Sequence, residues 1–345
     1  MIRICYQNRP GLGALTEKGN LGGGQLQTLR EAIELAKDKK FDVHMIVEGN
    51  EYSTFKHKGI TAWVFPKINI LNDIIQTYKH FKRINADIYL GRMVTRLQIF
   101  YEPFFCRILG KKYVYHEIGD PSSILEKKFP QLQKFAYSTA LELVSAITAI
   151  SQKSKKNLRL FTKKPIQIIN LPIYFKNKLK QKREHILWVG NFHKRPELFV
   201  KLAKEFPKEH FLMILPKKIS RIPSNLEVKS NIPHEDMDKY YATAKILVHT
   251  SEREGFPNVF LEAWRNKTPI VSFGVDPDNT LKNYRTGFYS ETFEGMIRKI
   301  KLLLNDKKTW KQFSENGYKY VKQNHNIEKI MKEYKELFFV LKSSK

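Results

Sequence analysis

Cysteine is scarce in this chain of 345 residues, in which Cys5 and Cys106 are the only two. Two thiols are too few for the disulfide framework of a small secreted domain or for a zinc site made of several cysteines. Long apolar runs are also missing: the best candidate, Leu141 to Ile150, is short and contains Glu142, whereas a membrane-spanning helix needs about 18 apolar residues or more. Met1 to Gln7 lack the apolar segment and cleavage site of a signal peptide. These absences predict a soluble, cytoplasmic protein.

Acidic residues are few relative to basic ones, 34 against 61, which gives a formal net charge of +27. The excess is uneven, because residues 151–200 carry 13 basic and 2 acidic side chains whereas residues 251–300 balance at 7 and 7. Such an excess attracts polyanions, which include nucleic acids, anionic membrane surfaces and phosphorylated small molecules. A lysine-rich surface that is simply well solvated accounts for the same numbers, so charge alone leaves both interpretations open.

Length and apolar content favour two folded domains, because a domain takes about 100–200 residues and hydrophobic residues make up 42% of the chain. Strands and helices alternate in the N-terminal half, which predicts a parallel sheet. The strands predicted there are Arg3–Tyr6, Phe41–Val47, Ile60–Phe65, Asp87–Leu90, Lys112–His116 and Ala146–Ile150, and the helices are Gln25–Lys39, Ile70–Ile84 and Leu125–Leu143.

A lysine-dense segment, Lys153 to Arg183, precedes a second α/β pattern, and the domain boundary is expected within this segment. The second pattern includes a helix predicted over Pro196 to Glu205. The final segment, Trp310 to Leu341, is predicted to be helical throughout and long enough to pack back across both domains. The predicted fold class is α/β, with two doubly wound, Rossmann-like domains that face a cleft at the carboxyl ends of their strands. The predicted domains are residues 1–171, residues 172–325 and a C-terminal helix, 326–345, that packs on the N-terminal domain.

Glycine clusters occur twice near the N-terminus. Gly11 and Gly13 begin a dinucleotide-binding motif but lack its third glycine and lie well before the first helix. No G-x-x-x-x-G-K-S/T sequence occurs, which excludes a P-loop. Gly22, Gly23 and Gly24 directly precede the predicted helix, where exposed N–H groups and the helix dipole favour an anionic ligand. A flexible turn accounts for an isolated triple glycine equally well.

Two glutamates flank a tight turn in the C-terminal half. Glu254 lies in the loop after a predicted strand, and Glu262 lies in the second turn of the helix that begins near Pro257. Carboxylates so placed can accept hydrogen bonds from two sets of hydroxyls on one extended ligand, and the backbone from Gly255 to Asn258 offers N–H groups to phosphate or sugar oxygens. Glutamates that are merely solvated or ion-paired are the commoner case.

The segment from Glu254 to Glu262 resembles the Glu-x7-Glu signature of the retaining glycosyltransferases of family 4, which have the GT-B fold. Further motifs similar to those of that family follow along nearly the whole chain in the family's order, which makes the combination more specific than any one motif. They are Gly22-Gly23-Gly24, His116 at the end of a strand, Ala149-Ile150-Ser151, Ile168-Ile169-Asn170, Leu187-Trp188-Val189-Gly190, Lys194-Arg195-Pro196, Pro269-Ile270-Val271 and Gly287-Phe288.

The resemblance implies a metal-independent, hexosyltransferase-type enzyme that uses a UDP- or GDP-linked sugar and no cofactor. Glu262 is expected to hold the donor ribose and Glu254 to orient the transferred sugar, while His116 contacts that sugar from the opposite domain after interdomain closure. Lys194 is expected to act with Glu254 and His116 in catalysis by stabilising the leaving diphosphate. The other donor-binding residues that the resemblance implies are Gly23, Gly24, Arg195, Gly255, Phe256, Pro257 and Asn258.

Two positions depart from the family pattern. Asn191 stands where many relatives have an arginine, which leaves the diphosphate to Lys194 and Arg195, and Lys267-Thr268 replaces a usual glycine. Asp276-Pro277-Asp278 has the spacing of a metal site, but aspartate and proline are ordinary turn residues and GT-B enzymes are not built on a metal.

The implied acceptor is a hydroxyl of a glycan or a lipid-linked molecule, in polysaccharide biosynthesis for the cell envelope. Mixed lysines and aromatic residues at Lys127 to Tyr137 and at Ile74 to Ile84 could lie on an anionic membrane, peripherally on its inner face; core-facing helices with solvated lysines would give the same stripes. Two other functions stay open. One is a basic nucleic-acid-binding protein, although no such module is recognisable and no nucleic-acid partner is expected. The other is a non-catalytic sugar-binding relative.

Overall fold

The computed structural model describes residues 1–7, 11–12, 15, 22–66, 70–92, 98–119, 130–175, 181–217 and 219–344. These residues belong to two units, one formed by Met1–Pro172 with Ile327–Lys345 and the other by Ile173–Asn326. Each unit contains a largely or wholly parallel sheet with its own hydrophobic core. The prediction of two Rossmann-like α/β units is therefore confirmed.

The described strands of the first unit form one sheet. They are β1 (Ile2–Tyr6), β2 (Phe41–Gly49), β3 (Ser53–His57), β4 (Ile60–Pro66), β5 (Ile88–Gly91), β6 (Lys112–Glu117), β7 (Ala146–Ala149) and β8 (Ile166–Ile168). Their order in space is β3-β4-β2-β1-β5-β6-β7-β8, and every neighbouring pair is parallel except β3 with β4. The strands β1 and β5 are neighbours; β2, which follows β1 in the chain, lies on the far side of β1, and β6, which follows β5, lies on the far side of β5. The direction of winding therefore reverses between β1 and β5. The sequence does not predict β3, because this edge strand is largely exposed and polar.

The second unit has a sheet of six described strands. They are β9 (His185–Val189), β10 (His210–Ile214), β11 (Leu226–Lys229), β12 (Ala244–His249), β13 (Ile270–Phe273) and β14 (Gly287–Ser290). All are parallel, in the order β11-β10-β9-β12-β13-β14, which is the order of a doubly wound dinucleotide-binding sheet. Winding reverses between β9 and β12, and in such sheets ligands bind at the carboxyl ends of the strands at this point.

Helices connect the strands and cover the sheets. In chain order they are α1 (Gly23–Ala36), α2 (Ile70–Ile84), α3 (Gln98–Ile108), α4 (Pro130–Leu143), α5 (Gln152–Leu158), α6 (Pro196–Glu205), α7 (Met237–Thr243), α8 (Asn258–Arg265), α9 (Thr280–Asn283), α10 (Phe293–Asn305), α11 (Lys307–Asn324) and α12 (Ile327–Ser343). The predicted bounds of α2 and α6 are correct, whereas α3, α5, α9 and α10 are not predicted. The predicted start of α4 at Leu125 lies outside the described residues. None of the helices in the described part of the chain combines the length and apolar character that a membrane crossing requires.

The prediction of one continuous helix from Trp310 to Leu341 is wrong, because α11 and α12 are separated at His325 and Asn326. His325 is fully buried, and its ring centroid lies 4.9 Å from that of Phe256. The His325 carbonyl accepts the N–H of Ile173 at 2.8 Å, and Asn326 forms a parallel bridge with the same residue. These contacts fix the backbone between the two helices, where His325 leaves the helical conformation with a φ of −127° and a ψ of 10°. The helix α11 belongs to the second unit and α12 to the first.

Candidate active site

A lysine and a glutamate meet where winding reverses in the second sheet. Lys194 follows β9 and Glu254 follows β12, and these neighbouring strands bring their carboxyl ends to the same edge of the sheet. Lys194 Nζ lies 2.7 Å from Glu254 Oε1, with about a fifth of each side chain exposed. The structure therefore joins two of the three residues that the sequence assigns to catalysis.

The Glu254 carboxylate is strongly held in its ionised form. Burial opposes ionisation, but His249 and Lys194 outweigh it and lower the pKa of Glu254 from 4.5 to about 2. Because its folded pKa is depressed, this carboxylate stabilises the fold at pH values above its ordinary pKa, and that contribution is lost as the pH falls towards about 2. Glu254 is thus an anion, beside a cation, throughout the physiological range.

His249, the last residue of β12, is a site residue that the sequence analysis does not identify. Its Nε2 lies 3.6 Å from Glu254 Oε1, and its Nδ1 lies 3.3 Å from Ser272 Oγ on the neighbouring strand β13. Burial lowers the pKa of His249, which keeps the imidazole neutral near pH 7. If the Ser272 hydroxyl donates to Nδ1, the ring proton is on Nε2, facing the carboxylate. Its position at the end of a buried strand, five residues before Glu254, is the signal that could have identified it.

Thr250 fixes the loop that carries the cations. Its Oγ1 accepts the indole N–H of Trp188 at 2.8 Å and lies 2.5 Å from the carbonyl oxygen of Lys194, to which it can donate. Trp188 is itself fully buried in β9. The backbone of Lys194 is therefore tied to the core, while its side chain points to Glu254. The Asn191 side chain accepts the N–H of His193 at 3.1 Å and so caps the short helical turn Phe192–Lys194, which contains Lys194.

Arg195 adopts an unusual backbone conformation next to this pair. Its φ of 56° and ψ of 57° lie in the left-handed region, and Pro196 then begins α6. Its guanidinium forms an ion pair with Glu252, lies 3.6 Å from Glu197, and stacks 5.2 Å from the ring centroid of Phe273. About two-thirds of the Glu252 side chain is exposed, so an anionic ligand could displace it at little cost.

The second of the two predicted site glutamates, Glu262, is almost completely buried. Glu262 lies in the second turn of α8, and its Oε1 is 3.5 Å from Nε2 of the partly exposed His234. The turn between the two glutamates packs into the same unit, with Phe256 buried against Trp264 and His325. Pro257 then precedes the first residue of α8, Asn258. Gly255 lies next to Glu254, so the segment from Gly255 to Asn258 is continuous with the site.

Comparison with known proteins identifies this part of the chain. Residues 172–320 match the family model described as glycosyl transferases group 1. The second unit therefore carries a glycosyl transferases group 1 domain. An uncharacterized glycosyltransferase of Haemophilus influenzae is 24% identical over 345 residues, covering 92% of this chain and 96% of that protein. The prediction of a glycosyltransferase enzyme is confirmed, and Lys194, Glu254 and Glu262 lie inside the group 1 domain.

Solved structures extend the similarity to both units. Sucrose-phosphate synthase from Thermosynechococcus elongatus has a TM-score of 0.81 at 14% identity, covering 99% of this chain and 99% of the other. Anabaena HepE, in a complex with UDP-glucose, has a TM-score of 0.77 at 14% identity, covering 99% of this chain and 100% of the other. At these identities the likeness shows the fold, and the predicted GT-B class is confirmed.

The glycine motif lies in the first unit, outside the group 1 domain. The helix α1 begins at Gly23, and the Gly22 N–H is accepted by the Gln25 side chain at 3.2 Å. A Cβ atom on Gly24 would come within 2.9 Å of Ile118, so a side chain at this position would crowd its neighbour. The three glycines thus form the helix N-terminus that the sequence predicts. Donor binding by Gly23 and Gly24 stays a prediction.

His116 is fully buried in the first unit, and β6 continues one residue beyond it. Its Nδ1 lies 2.6 Å from Thr148 Oγ1 and 3.3 Å from the hydroxyl of Tyr334 on α12. Burial and the nearby charge of Arg92 lower the pKa of His116 well below its usual value, so the ring is neutral. The role of His116 at the sugar stays a prediction, and its observed partners in this structure are protein side chains.

The first aspartate of the D-x-D sequence accepts hydrogen bonds from the backbone of the helix that follows it. Asp276 accepts the backbone N–H of Leu281 at 2.8 Å and of Lys282 at 3.3 Å, at the start of the short helix α9. Asp278 has a φ of 53° in the turn before that helix. Among the described residues, no group of three or more histidine, cysteine, aspartate or glutamate side chains is arranged to hold a metal ion.

Proposed function

We propose that this chain is a retaining, metal-independent glycosyltransferase that moves a hexose from a nucleotide diphosphate sugar to a hydroxyl of a glycan or lipid-linked acceptor. The observation that carries the proposal is the Lys194–Glu254 pair at the reversal point of the second sheet. A fixed cation and a permanently ionised carboxylate at one position can serve opposite ends of one ligand: the leaving diphosphate and the sugar hydroxyls.

A UDP-linked sugar is the first donor to consider. HepE, which shares the fold, was crystallised with UDP-glucose. In this chain Glu262 is proposed to accept hydrogen bonds from the donor ribose. Its carboxylate is buried in the second turn of α8, the helix that follows Glu254 in the chain. A GDP-linked sugar remains an alternative, which a panel of donors distinguishes.

The proposed reaction breaks the bond between the anomeric carbon and the diphosphate oxygen, and forms one between that carbon and the acceptor oxygen. The acceptor proton leaves with the diphosphate or to solvent, and no protein nucleophile is invoked. Lys194 and Arg195 stabilise the negative charge that develops on the leaving oxygen. The backbone from Gly255 to Asn258 and the Glu254 carboxylate orient the sugar, so that the acceptor attacks with retention of configuration.

The test is a panel of UDP- and GDP-linked sugars scored for release of the nucleotide diphosphate. Release from one donor is expected, and its loss is expected in Glu254→Ala and Glu262→Ala but not in Glu294→Ala, which removes an exposed glutamate of the same unit. Product with inverted anomeric configuration would contradict retention.

Failure to bind or to turn over any nucleotide diphosphate sugar would overturn the proposal. Salt-sensitive binding of RNA or DNA in that case would favour the nucleic-acid alternative. If the wild-type protein binds a donor but transfers sugar to none of a broad set of acceptors, the result would favour the non-catalytic alternative.

His249 is expected to act as a positioning residue for Glu254. His249→Leu should lower kcat by about 10-fold or more, because the largely buried Glu254 carboxylate loses a polar partner, while His249→Gln should recover much of the rate. Loss of this partner also raises the pKa of Glu254 towards its ordinary value, so the acid limb of the rate profile should move to higher pH. The measurement is kcat and kcat/KM as a function of pH.

His210→Leu is the matched control for this prediction. His210 lies the same 3.6 Å from a carboxylate, Glu227, but on the exposed surface of the second unit. The variant His210→Leu should leave the acid limb of the pH–rate profile unchanged. An unchanged acid limb in His249→Leu would contradict the positioning role.

A further inference from the structure

Three helices of the first unit form a continuous layer. The helix α3 packs between α2 and α4. Between α2 and α3, the Tyr101 hydroxyl donates to Asp73 at 2.5 Å and the ring centroids of Tyr78 and Phe105 lie 5.3 Å apart. The inner faces contribute to the core under the sheet, with residues such as Phe81, Ile99, Cys106, Tyr137 and Leu141. The layer is therefore well anchored on its inner side.

The outer face of α3 is apolar and exposed. Phe100, Phe104 and Ile108 recur at intervals of four residues, so they form one stripe on the helix, and they are 36%, 49% and 57% exposed. The opposite face, with Ile99 and Cys106, is almost completely buried. Because α3 already has a full core-facing side, this stripe is not needed for folding of the unit.

The neighbouring helices continue the apolar stripe. On α4, Leu132 and Phe135 are 67% and 72% exposed, and on α2, Ile75 is 54% exposed. Large exposed side chains that occur singly are normal, whereas a set spread over three adjacent helices indicates a surface for interaction. We name the set of Ile75, Phe100, Phe104, Ile108, Leu132 and Phe135 the apolar face.

The charged residues of the same three helices are arranged asymmetrically. Lys79, Lys82 and Arg83 on α2 and Arg107 on α3 are exposed. Two of the three acidic side chains on these helices accept hydrogen bonds from tyrosine hydroxyls of the same unit. Glu102 is buried and accepts from Tyr113, and Asp73 accepts from Tyr101. The third, Glu142, lies in the last turn of α4, where it accepts from Thr162. The exposed charge around the apolar face is therefore mainly positive.

We propose that the apolar face docks this protein on an anionic lipid bilayer. Phenylalanines and aliphatic side chains would enter the interfacial region, while Lys79, Lys82, Arg83 and Arg107 meet the anionic headgroups. The positive charge favours this occupant over a second copy of the chain, because two copies related by symmetry would bring the same basic residues together. The proposal does not depend on the sugar-transfer proposal, and its test needs no turnover.

The apolar face differs from the two stripes that the sequence predicts as membrane-binding surfaces. Phe81 and Tyr137, which belong to the predicted stripes, are buried in the core, so that part of each stripe is a core face. Lys127, Lys128 and Phe129 lie outside the described residues. The helix α3, absent from the sequence prediction, supplies half of the apolar face.

Sedimentation with vesicles tests the proposal. The full chain should bind vesicles of phosphatidylcholine and phosphatidylglycerol at low salt, and bind phosphatidylcholine vesicles much more weakly. The double variant Phe104→Ser/Phe135→Ser should lose about 10-fold or more in apparent affinity, since each phenylalanine contributes apolar area to the interface. Lys79→Glu/Lys82→Glu should reduce binding and its dependence on salt.

Controls distinguish membrane docking from misfolding and from self-association. Leu302→Ser/Val340→Ser removes two exposed apolar side chains outside the apolar face and should bind vesicles like the wild type. Thermal unfolding and nucleotide diphosphate binding establish that the phenylalanine variant is folded. Absence of wild-type binding to the anionic vesicles, or equal binding by the two serine double variants, would overturn the proposal. A wild-type dimer in sedimentation equilibrium that Phe104→Ser/Phe135→Ser dissociates would assign the face to a second copy and would equally overturn it.

Discussion

Replacing Lys194 with methionine is expected to lower kcat for sugar transfer by about 100- to 1000-fold. The reason is that a cation placed where negative charge develops on the leaving group stabilises the transition state by a few kcal/mol. Thr250 holds the backbone of Lys194 against β9 and β12, so the methionine side chain should keep the position without the charge. Steady-state kinetics on the donor identified in the panel measures the effect.

Lys245→Met provides the matched control, because Lys245 forms an ion pair of 2.6 Å with Glu209 elsewhere in the same unit. This control should leave kcat within about twofold of the wild type, since partly exposed ion pairs contribute little. A Lys194→Met enzyme with nearly normal kcat would refute the assigned role, and would direct attention to Arg195 as the main cation.

Replacing Arg92 with methionine is expected to destabilise the first unit by about 3–5 kcal/mol. Arg92 directly follows β5 and forms a fully buried ion pair with Glu31 of α1. Its guanidinium also donates to Thr28 at 3.1 Å and to the Tyr334 hydroxyl of α12 at 3.3 Å. Removing it leaves a buried carboxylate without its cation, and breaking a buried pair in this way is far more costly than losing a surface pair. Chemical denaturation measures the change in the free energy of unfolding.

Lys342→Met is the matched control for Arg92→Met. Lys342 on α12 pairs with Asp87 at 2.6 Å, and about half of its side chain is exposed. Loss of this pair should cost about 1 kcal/mol or less. The double variant Glu31→Met/Arg92→Met should recover much of the lost stability, because it removes both buried charges. Equal stability of Arg92→Met and Lys342→Met would contradict the prediction.

The deficit of Arg92→Met should also depend on pH. Burial raises the pKa of Glu31, and Arg92 opposes that effect, so removing the arginine raises the Glu31 pKa further. Between the ordinary glutamate pKa and this raised value, the folded chain binds more protons than the unfolded chain. Stability therefore falls as the pH rises through that range, and the deficit should shrink as the pH is lowered from neutrality towards about 4.3.

The periodic segments of the sequence are those that it predicts best. The amphipathic helix α2 and the proline-initiated helix α6 have the predicted bounds because their patterns are local. In contrast, β3 is polar and depends on pairing with β4. The helix α3 is apolar on both faces, so its sequence has no clear period, and Pro103 within it argues against a helix.

The sequence predicts candidate residues of the site better than it predicts their geometry. Glu254, Glu262 and Lys194 are recognisable from spacing and resemblance, whereas the approach of Lys194 to Glu254 requires β9 and β12 to be neighbours, although 54 residues separate β9 from β12. His249 is missed because its only signal is its position at the end of a buried strand close to Glu254, and it belongs to no recognised motif. His116 is recognised as a motif, but its contact with Thr148 follows from the pairing of β6 with β7, and its contact with Tyr334 follows from the docking of α12.

By itself the sequence determines the α/β class, the two Rossmann-like units, the resemblance to glycosyltransferases and the excess of positive charge, because each follows from residue types at short spacing. Tertiary structure decides which charges become partners and which apolar residues remain outside. Pairing of Lys194 with Glu254, burial of Glu31 with Arg92 and exposure of Phe104 all depend on long-range packing. Burial sets the dielectric environment, and so the energy, of each ion pair, and packing decides how much apolar area stays exposed to solvent.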